Sequence, residues 1–261
     1  RNGAAGDGGG GSRVDGTHIF FRECIFTRNQ ATSGHDGDGG AVKVYSGQLT
    51  VLENCLLVGN YSLRRGGAVE THNGNAYLVL VNCTLTGNRA DENGGAIGSW
   101  GGTIVATNCI VYGNSAGGSG PNYTVGTYRY CDADPMPEGT GNMNVAPSFV
   151  QPGSGYGLSH TFGDYRLGAG SPLIDVGTDT GLTMDLEGKP RPMDGDGDST
   201  PKYDMGAYES YGPNDGPLRT TPSVTPTVGV APLQAVFTVG QIAGEHTNIT
   251  GYIWLFGDGN T

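Results

Sequence analysis

Between residues 194 and 198 the chain reads Asp194-Gly195-Asp196-Gly197-Asp198, three carboxylates at alternate positions joined by glycine. That spacing lets the backbone curl until several hard oxygens converge, the ligand chemistry of Ca²⁺. A helix–loop–helix calcium loop wants Gly at its sixth position and Glu at its twelfth, where this chain has Ser199 and Met205. The expected shell is therefore a different one: Asp194, Asp196 and Asp198, completed by Asp204 or a backbone carbonyl. The competing reading is a solvated acidic turn. His35-Asp36-Gly37-Asp38 is a weaker candidate of the same kind, in a loop at a repeat boundary.

A second group of side chains follows the triplets Gly39-Gly40-Ala41, Gly66-Gly67-Ala68 and Gly94-Gly95-Ala96. Four residues after each Ala stand Tyr45, His72 and Trp100, and two residues before those stand Lys43, Glu70 and Gly98. A degenerate earlier copy supplies Arg13 and Asp15. Aligned on one outer face, the rings could stack on sugars, or a loop could pack over them. A polysaccharide lyase would need acidic residues for Ca²⁺ with an Arg or Lys base nearby, and a glycosidase two carboxylates ~5–9.5 Å apart. One Lys beside one Glu reads more simply as a surface ion pair. No Ser/His/Asp ordering and no phosphate loop is present.

These positions are set by an internal repeat. Cys24-Ile25-Phe26-Thr27-Arg28-Asn29, Cys55-Leu56-Leu57-Val58-Gly59-Asn60, Cys83-Thr84-Leu85-Thr86-Gly87-Asn88 and Cys109-Ile110-Val111-Tyr112-Gly113-Asn114 align without gaps, their cysteines 31, 28 and 26 residues apart. A period in that range marks a repeat architecture. The segments are short, rich in Val, Ile, Leu and Thr, and bounded by Gly and Asn, so they read as strands. The fold expected is a parallel β-helix with about three strands per coil, each pairing with its counterpart ~4.8 Å away. Its repeats are too long and uneven for the left-handed form, so a right-handed one is expected. Inward stacks should hold Phe21, Leu52, Leu80 and Ala106; Phe26, Leu57, Leu85 and Val111; and Val44, Thr71 and Ser99. Cys24, Cys55, Cys83 and Cys109 should stack between the first two as reduced core residues, because side-by-side parallel positions suit a disulfide poorly. Cys131 is the odd cysteine. Asn29, Asn60, Asn88 and Asn114 should form a ladder of side-chain amides at a turn.

Composition agrees with this reading and excludes others. Of 261 residues, 49 are glycine, nearly one in five against about 7% ordinarily. Glycine costs about 1 kcal/mol per helical position relative to Ala, so long helices are not expected. A formal charge of −11 without a basic patch argues against nucleic acid as a partner. No run approaches the ~18 apolar residues of a transmembrane segment.

Gly-Gly-Ala-[Ile/Val] alternating with Phe26-Thr27-Arg28-Asn29 and its variants resembles the repeat of polymorphic outer membrane proteins. That resemblance covers about residues 9–116. It implies a right-handed parallel β-helix of the pectin-lyase-like type, on a secreted or surface protein, with adhesion or structure as its role. Asp164-Tyr165-Arg166-Leu167, Gly170-Ser171-Pro172-Leu173-Ile174-Asp175-Val176-Gly177, Asp185-Leu186-Glu187-Gly188-Lys189-Pro190-Arg191-Pro192 and Asp204-Met205-Gly206-Ala207-Tyr208-Glu209 resemble the closing region of choice-of-anchor Q surface proteins. Trp254 with Phe256-Gly257-Asp258-Gly259 is similar to a PKD domain, an Ig-like sandwich, of which about half is present. The organisation expected is therefore all-β: coils over 1–145, an irregular cap over 146–212, a linker over 213–221 and a partial PKD-like β-sandwich over 222–261.

The sequence reads as starting within a coil and stopping within a sandwich, as expected of a fragment or of a chain whose two open ends a neighbouring copy completes to give a homo-oligomer or head-to-tail filament. Of the Asn-x-Ser/Thr sequons, Asn60 and Asn82 sit on or beside ladders, leaving Asn122 and Asn248 as glycan acceptors if the host glycosylates. The function expected is a non-catalytic, extracellular or cell-surface structural or adhesive protein, with a carbohydrate-active enzyme or glycan-binding module as the alternative.

Overall fold

The computed structural model describes residues 3–4, 9–16, 18–33, 37–47, 49–212, 219–225 and 236–243, with backbone alone for 3–4 and the last two stretches. The chain divides into two units, residues 1–210 and 211–261.

The first unit is a parallel β-solenoid of about four turns. Each full turn gives one strand to each of four sheets. The Gly-Gly-Ala sheet holds Ser12–Asp15, Val42–Ser46, Val69–Thr71 and Ile97–Ser99. A central sheet holds Ile19–Arg22, Leu49–Glu53, Tyr77–Val81, Thr103–Thr107 and Thr127–Arg129. The sheet after the cysteines holds Ile25–Thr27, Leu56–Val58, Thr84–Thr86, Ile110–Val111 and Asp132–Ala133. The fourth, of two-residue strands, holds Gly3–Ala4, Gln30–Ala31, Tyr61–Ser62, Arg89–Ala90 and Ser115–Ala116. Three strands per coil were expected; the fourth is the pair of residues that follows each ladder asparagine, too short to carry a periodic signal.

The registers place Phe21, Leu52, Leu80 and Ala106 in one column, ending on Tyr128. Phe26, Leu57, Leu85 and Val111 form another, ending on Ala133. Val14, Val44, Thr71 and Ser99 form a third, where the Thr71 hydroxyl donates to Ser99 Oγ at 2.9 Å. Leu52, Leu57, Leu80 and Leu85 are fully buried, worth roughly 1.5–3 kcal/mol each.

All five cysteines are free, and Cys55, Cys83, Cys109 and Cys131 are buried. Cys131 is not the odd one: it follows Cys109 in the column, and Cys109 N–H lies 3.4 Å from its Sγ. The sequence hid it because Tyr130 replaces the Asn that precedes Cys55, Cys83 and Cys109, and no Asn follows five residues on. That preceding residue is left-handed at each rung, with φ of 53° at Glu23, 48° at Asn54, 49° at Asn82, 59° at Asn108 and 49° at Tyr130. Asn tolerates this conformation better than other side chains, which explains its recurrence.

The asparagine column is continuous. Asn29, Asn60 and Asn88 each donate Nδ2 to the Oδ1 of the next rung at 2.9 Å, the last reaching Asn114. Each Oδ1 also accepts from the backbone N–H of the rung before, at 2.9–3.1 Å. Asn122 adds a fifth rung, accepting from Asn114 Nδ2 at 3.0 Å. It belongs to Gly120-Pro121-Asn122, which takes the Gly-Gly-Ala place in the last turn: Gly95 N–H bonds Gly120 O, and Ala96 N–H bonds Asn122 O. The glycine pair is required twice over. Gly66 has φ 63°, and a Cβ on Gly67 would lie 2.1 Å from Gly95 O of the next turn.

Residues 146–210 are irregular, with one 3-10 turn, Gly157–Ser159, and an antiparallel pair, Phe149–Gln151 with Asp164–Leu167. They cover the outer face of the third sheet across successive turns. Tyr165, Ala207 and Tyr208 pack on Leu56 and Val58, and Leu167, Leu173, Ile174 and Met205 pack on Ile110. The last rung is met by Asn142 and Met143, whose Oδ1 and N–H bond the backbone of Cys131.

In the second unit, Arg219–Thr225 and Val236–Ala243 form an antiparallel pair. The PKD-like hallmark at Trp254 and 256–259, residues 213–218 of the linker, and Asn248 lie outside the described residues. Among those that are described, no helix is long and apolar enough to cross a membrane.

Replacing Asn88 removes an acceptor of two bonds and a donor in mid-column, orphaning buried groups on both neighbouring rungs. Asn88→Ala should cost on the order of 3 kcal/mol, and Asn29→Ala, at the first described rung, about 1 kcal/mol or less. Thermal unfolding of both variants checks this; equal losses would mean the column acts rung by rung rather than as a chain.

Candidate functional site

The outward positions of the Gly-Gly-Ala sheet carry the first cluster. Lys43 and Glu70 are register partners, as expected, but they form no surface pair: both are fully buried. Their cover comes from the turns that precede each strand. A Cβ on Gly98, the next rung, would lie 2.5 Å from Gly66 N, so the 65–66 backbone lies directly over this face. Asp38, also fully buried, receives Lys43 Nζ at 3.3 Å, Arg64 at 3.8 Å and Arg65 at 3.7 Å. His72 Nδ1 lies 3.4 Å from Glu70 Oε1. One ligand-type atom from each of Asp38, Glu70 and His72 falls within 4.8 Å of the others. Burial, with the Asp38 charge adding to it, pushes the Glu70 carboxyl up to about 8 against the pull of Lys43 and Arg65. His35 and Asp36 lie outside the described residues.

Of the three rings expected in a row, two stack. Tyr45 and His72 are 4.9 Å apart and within 12° of parallel, with Arg13 4.0 Å from the Tyr45 centroid. Trp100 meets a guanidinium instead: Arg65 sits 4.3 Å from its centroid, and the indole is 64% exposed.

The second cluster lies in the closing region. The four aspartates expected to converge are divided. Asp198 bonds Lys202 Nζ at 3.1 Å and Thr200 N–H at 2.8 Å. Asp204 is fully buried, accepting from Asp175 N–H at 2.9 Å and Ser210 N–H at 2.6 Å, and burial pushes it up to about 6. Asp194 and Asp196 group with Asp175 instead, one carboxylate oxygen of each within 4.8 Å of the others. Asp175 lies 19 residues before Asp194, so spacing within the acidic run gives no sign of it.

No family model, curated protein or solved structure matches the chain. The closing region is accounted for by its own contacts. Asp185, Arg191, Asp204 and Glu209, scattered over 25 residues, meet in a buried network. Arg191 pairs with Glu209 at 2.9 Å and donates to the Asp204 and Gly206 carbonyls, while Asp185 accepts from Glu209, Glu187 and Lys189 N–H groups.

Asparagines of the solenoid dock this region. Asn54 Nδ2 donates to Met184 O at 2.7 Å, Asn82 Nδ2 to Thr180 Oγ1 at 3.1 Å, and Asn108 Nδ2 to Asp204 O at 2.8 Å. These are the left-handed residues before Cys55, Cys83 and Cys109, so at these three rungs one residue type turns the chain and holds the cover.

Glu70 has a folded pKa above its unfolded value near 4.3. The folded state therefore binds that proton more tightly. Its contribution to stability is full below about 4.3 and is lost as pH rises through about 8. Glu70→Gln, neutral at every pH, should be more stable than the parent at pH 9 by on the order of 2–4 kcal/mol, the difference vanishing near pH 4. Urea unfolding of both proteins across this range checks it; a difference independent of pH would refute the shift.

Proposed function

We propose that this chain is a non-catalytic structural and adhesive β-solenoid of the extracellular or cell-surface type. The observation that carries the reading is the burial of Lys43, Glu70 and Asp38 at 0% exposure. These are the outward groups best suited to acid–base work, and a polymer chain has no access to them. What the same face offers solvent is Trp100, flanked by Arg65, beside the Tyr45–His72 stack. An exposed indole beside stacked rings suits binding by contact with sugar rings or with another protein surface. The repeat resembling polymorphic outer membrane proteins and the closing motifs resembling choice-of-anchor Q proteins support the same role, and the PKD-like hallmark fits an extracellular setting.

The alternative, a carbohydrate-active enzyme, is tested directly. Incubation with polygalacturonate and alginate should release neither reducing ends nor unsaturated uronates. Release that disappears in Lys43→Ala and Glu70→Ala would overturn the non-catalytic reading. If the outer face binds glycans, Trp100→Ala should weaken retention on immobilised polysaccharide at least about fivefold, the loss of roughly 1 kcal/mol of ring contact, with the solenoid retained by circular dichroism. Retention that survives this substitution would remove Trp100 from the binding surface.

A further inference from the structure

The two convergent clusters differ in what balances their charge. Asp38 and Glu70 have Lys43, Arg64 and Arg65 around them. Among Asp175, Asp194 and Asp196 three carboxylates meet, and the nearby Lys202 is paired with Asp198. Asp175 is only 5% exposed. Its Oδ2 accepts from Asp196 N–H at 2.8 Å, whereas its buried Oδ1 has no hydrogen-bond partner. An unpartnered buried carboxylate oxygen is costly unless something positive meets it.

We propose that Asp175, Asp194 and Asp196 form a Ca²⁺ site that ties the 172–175 turn to the 194–198 loop. Oxygens bound to one Ca²⁺ at about 2.3–2.6 Å are at most about 5 Å apart, and the three oxygens here satisfy that limit. The donor set is all oxygen and all carboxylate, which favours a hard ion over zinc, and its irregular geometry suits Ca²⁺ better than the strict octahedron of Mg²⁺. The loop is already shaped. Asp194 accepts from Gly197 and Ser199 N–H groups at 2.8 Å each, and Asp196 Oδ1 accepts from Asp198 N–H at 2.9 Å. Asp204 is a positioning residue, holding Asp175 N–H at 2.9 Å with one oxygen and Ser210 N–H at 2.6 Å with the other. Because Asp175 and Asp194 meet only when 172–210 is folded, binding should be coupled to the order of this region. The site is independent of what the aromatic face binds.

The test uses the full chain, stripped of metal with a chelator and then titrated with CaCl₂ in a calorimeter and by thermal unfolding. One Ca²⁺ per chain should bind with a dissociation constant in the range of about 10⁻⁵–10⁻³ M, and the unfolding temperature should rise by about 3 °C or more at saturation. Asp175→Asn and Asp194→Asn should each weaken binding at least about tenfold, while Asp198→Asn, whose carboxylate is outside the three and bonds Lys202 and Thr200, should leave it within about twofold. Circular dichroism of each metal-free variant reports whether the solenoid is retained. No binding by the folded parent at about 10 mM Ca²⁺, or equal loss in Asp198→Asn and Asp175→Asn, overturns the proposal. Should Asp175→Asn fail to fold, Asp194→Asn, whose residue lies on the exposed loop, decides it alone. Mg²⁺ raising the unfolding temperature as much as Ca²⁺ does would overturn the assignment of the ion.

Discussion

Everything in the solenoid depends on one constraint: equivalent residues of successive turns lie one strand spacing apart in fixed register. A parallel stack satisfies its backbone only through its neighbours, so a residue good for one rung must be good for all. Asparagine meets that demand at the tight turn because its amide donates forward and accepts backward at once. The paired glycines meet it because the carbonyl of the next turn leaves no room for a Cβ. Cysteine fits where a small side chain must pack between two apolar columns, with its thiol directed at carbonyls such as Leu52 O and Val81 O from Cys83.

The constraint also creates a problem on the outside. The third sheet carries apolar residues on both faces, since Leu56, Val58 and Ile110 point away from the core that Leu57, Leu85 and Val111 fill. A cover is therefore obligatory, and residues 146–210 supply it with almost no regular structure of their own. With few ladder bonds, they rely on side chains for internal order. This is why Asp185, Arg191, Asp204 and Glu209 are buried together. Each carboxylate holds backbone N–H groups that a strand would otherwise have satisfied.

What could be read from the sequence follows the same division. Columns from Phe21 to Ala106 and from Phe26 to Val111 were legible because repetition multiplies a weak signal over four rungs. Rungs that break the pattern were not. Cys131 is preceded by Tyr, and Asn122 stands in the Ala place of Gly120-Pro121-Asn122 instead of closing a Cys segment, yet both continue their columns through geometry alone. The burial of Lys43 and Glu70 was invisible for another reason. Period-two alternation reports which face a residue takes, and nothing about whether a turn from elsewhere covers that face. Asp175 escaped because its partners are distant in sequence and its neighbours are apolar.

The two charged clusters show how the same constraint yields different chemistry inside and outside the ladder. On the Gly-Gly-Ala sheet, rungs are fixed one strand spacing apart, so Lys43 can stand beside Glu70 and the preceding turns can bring Asp38, Arg64 and Arg65 to meet them. The cations that meet Asp38 are then supplied by the repeat itself, and the result is a buried electrostatic cluster. In the closing region no register assigns a cation to each carboxylate. Arg191 is committed to Glu209 and Lys202 to Asp198, while Asp175, Asp194 and Asp196 converge and the buried Asp175 Oδ1 has no hydrogen-bond partner. Like charges held at such distances repel unless a cation from solvent joins them. The irregular part of the fold is therefore where an ion has a physical reason to bind, and the regular part is where the chain has already provided its own.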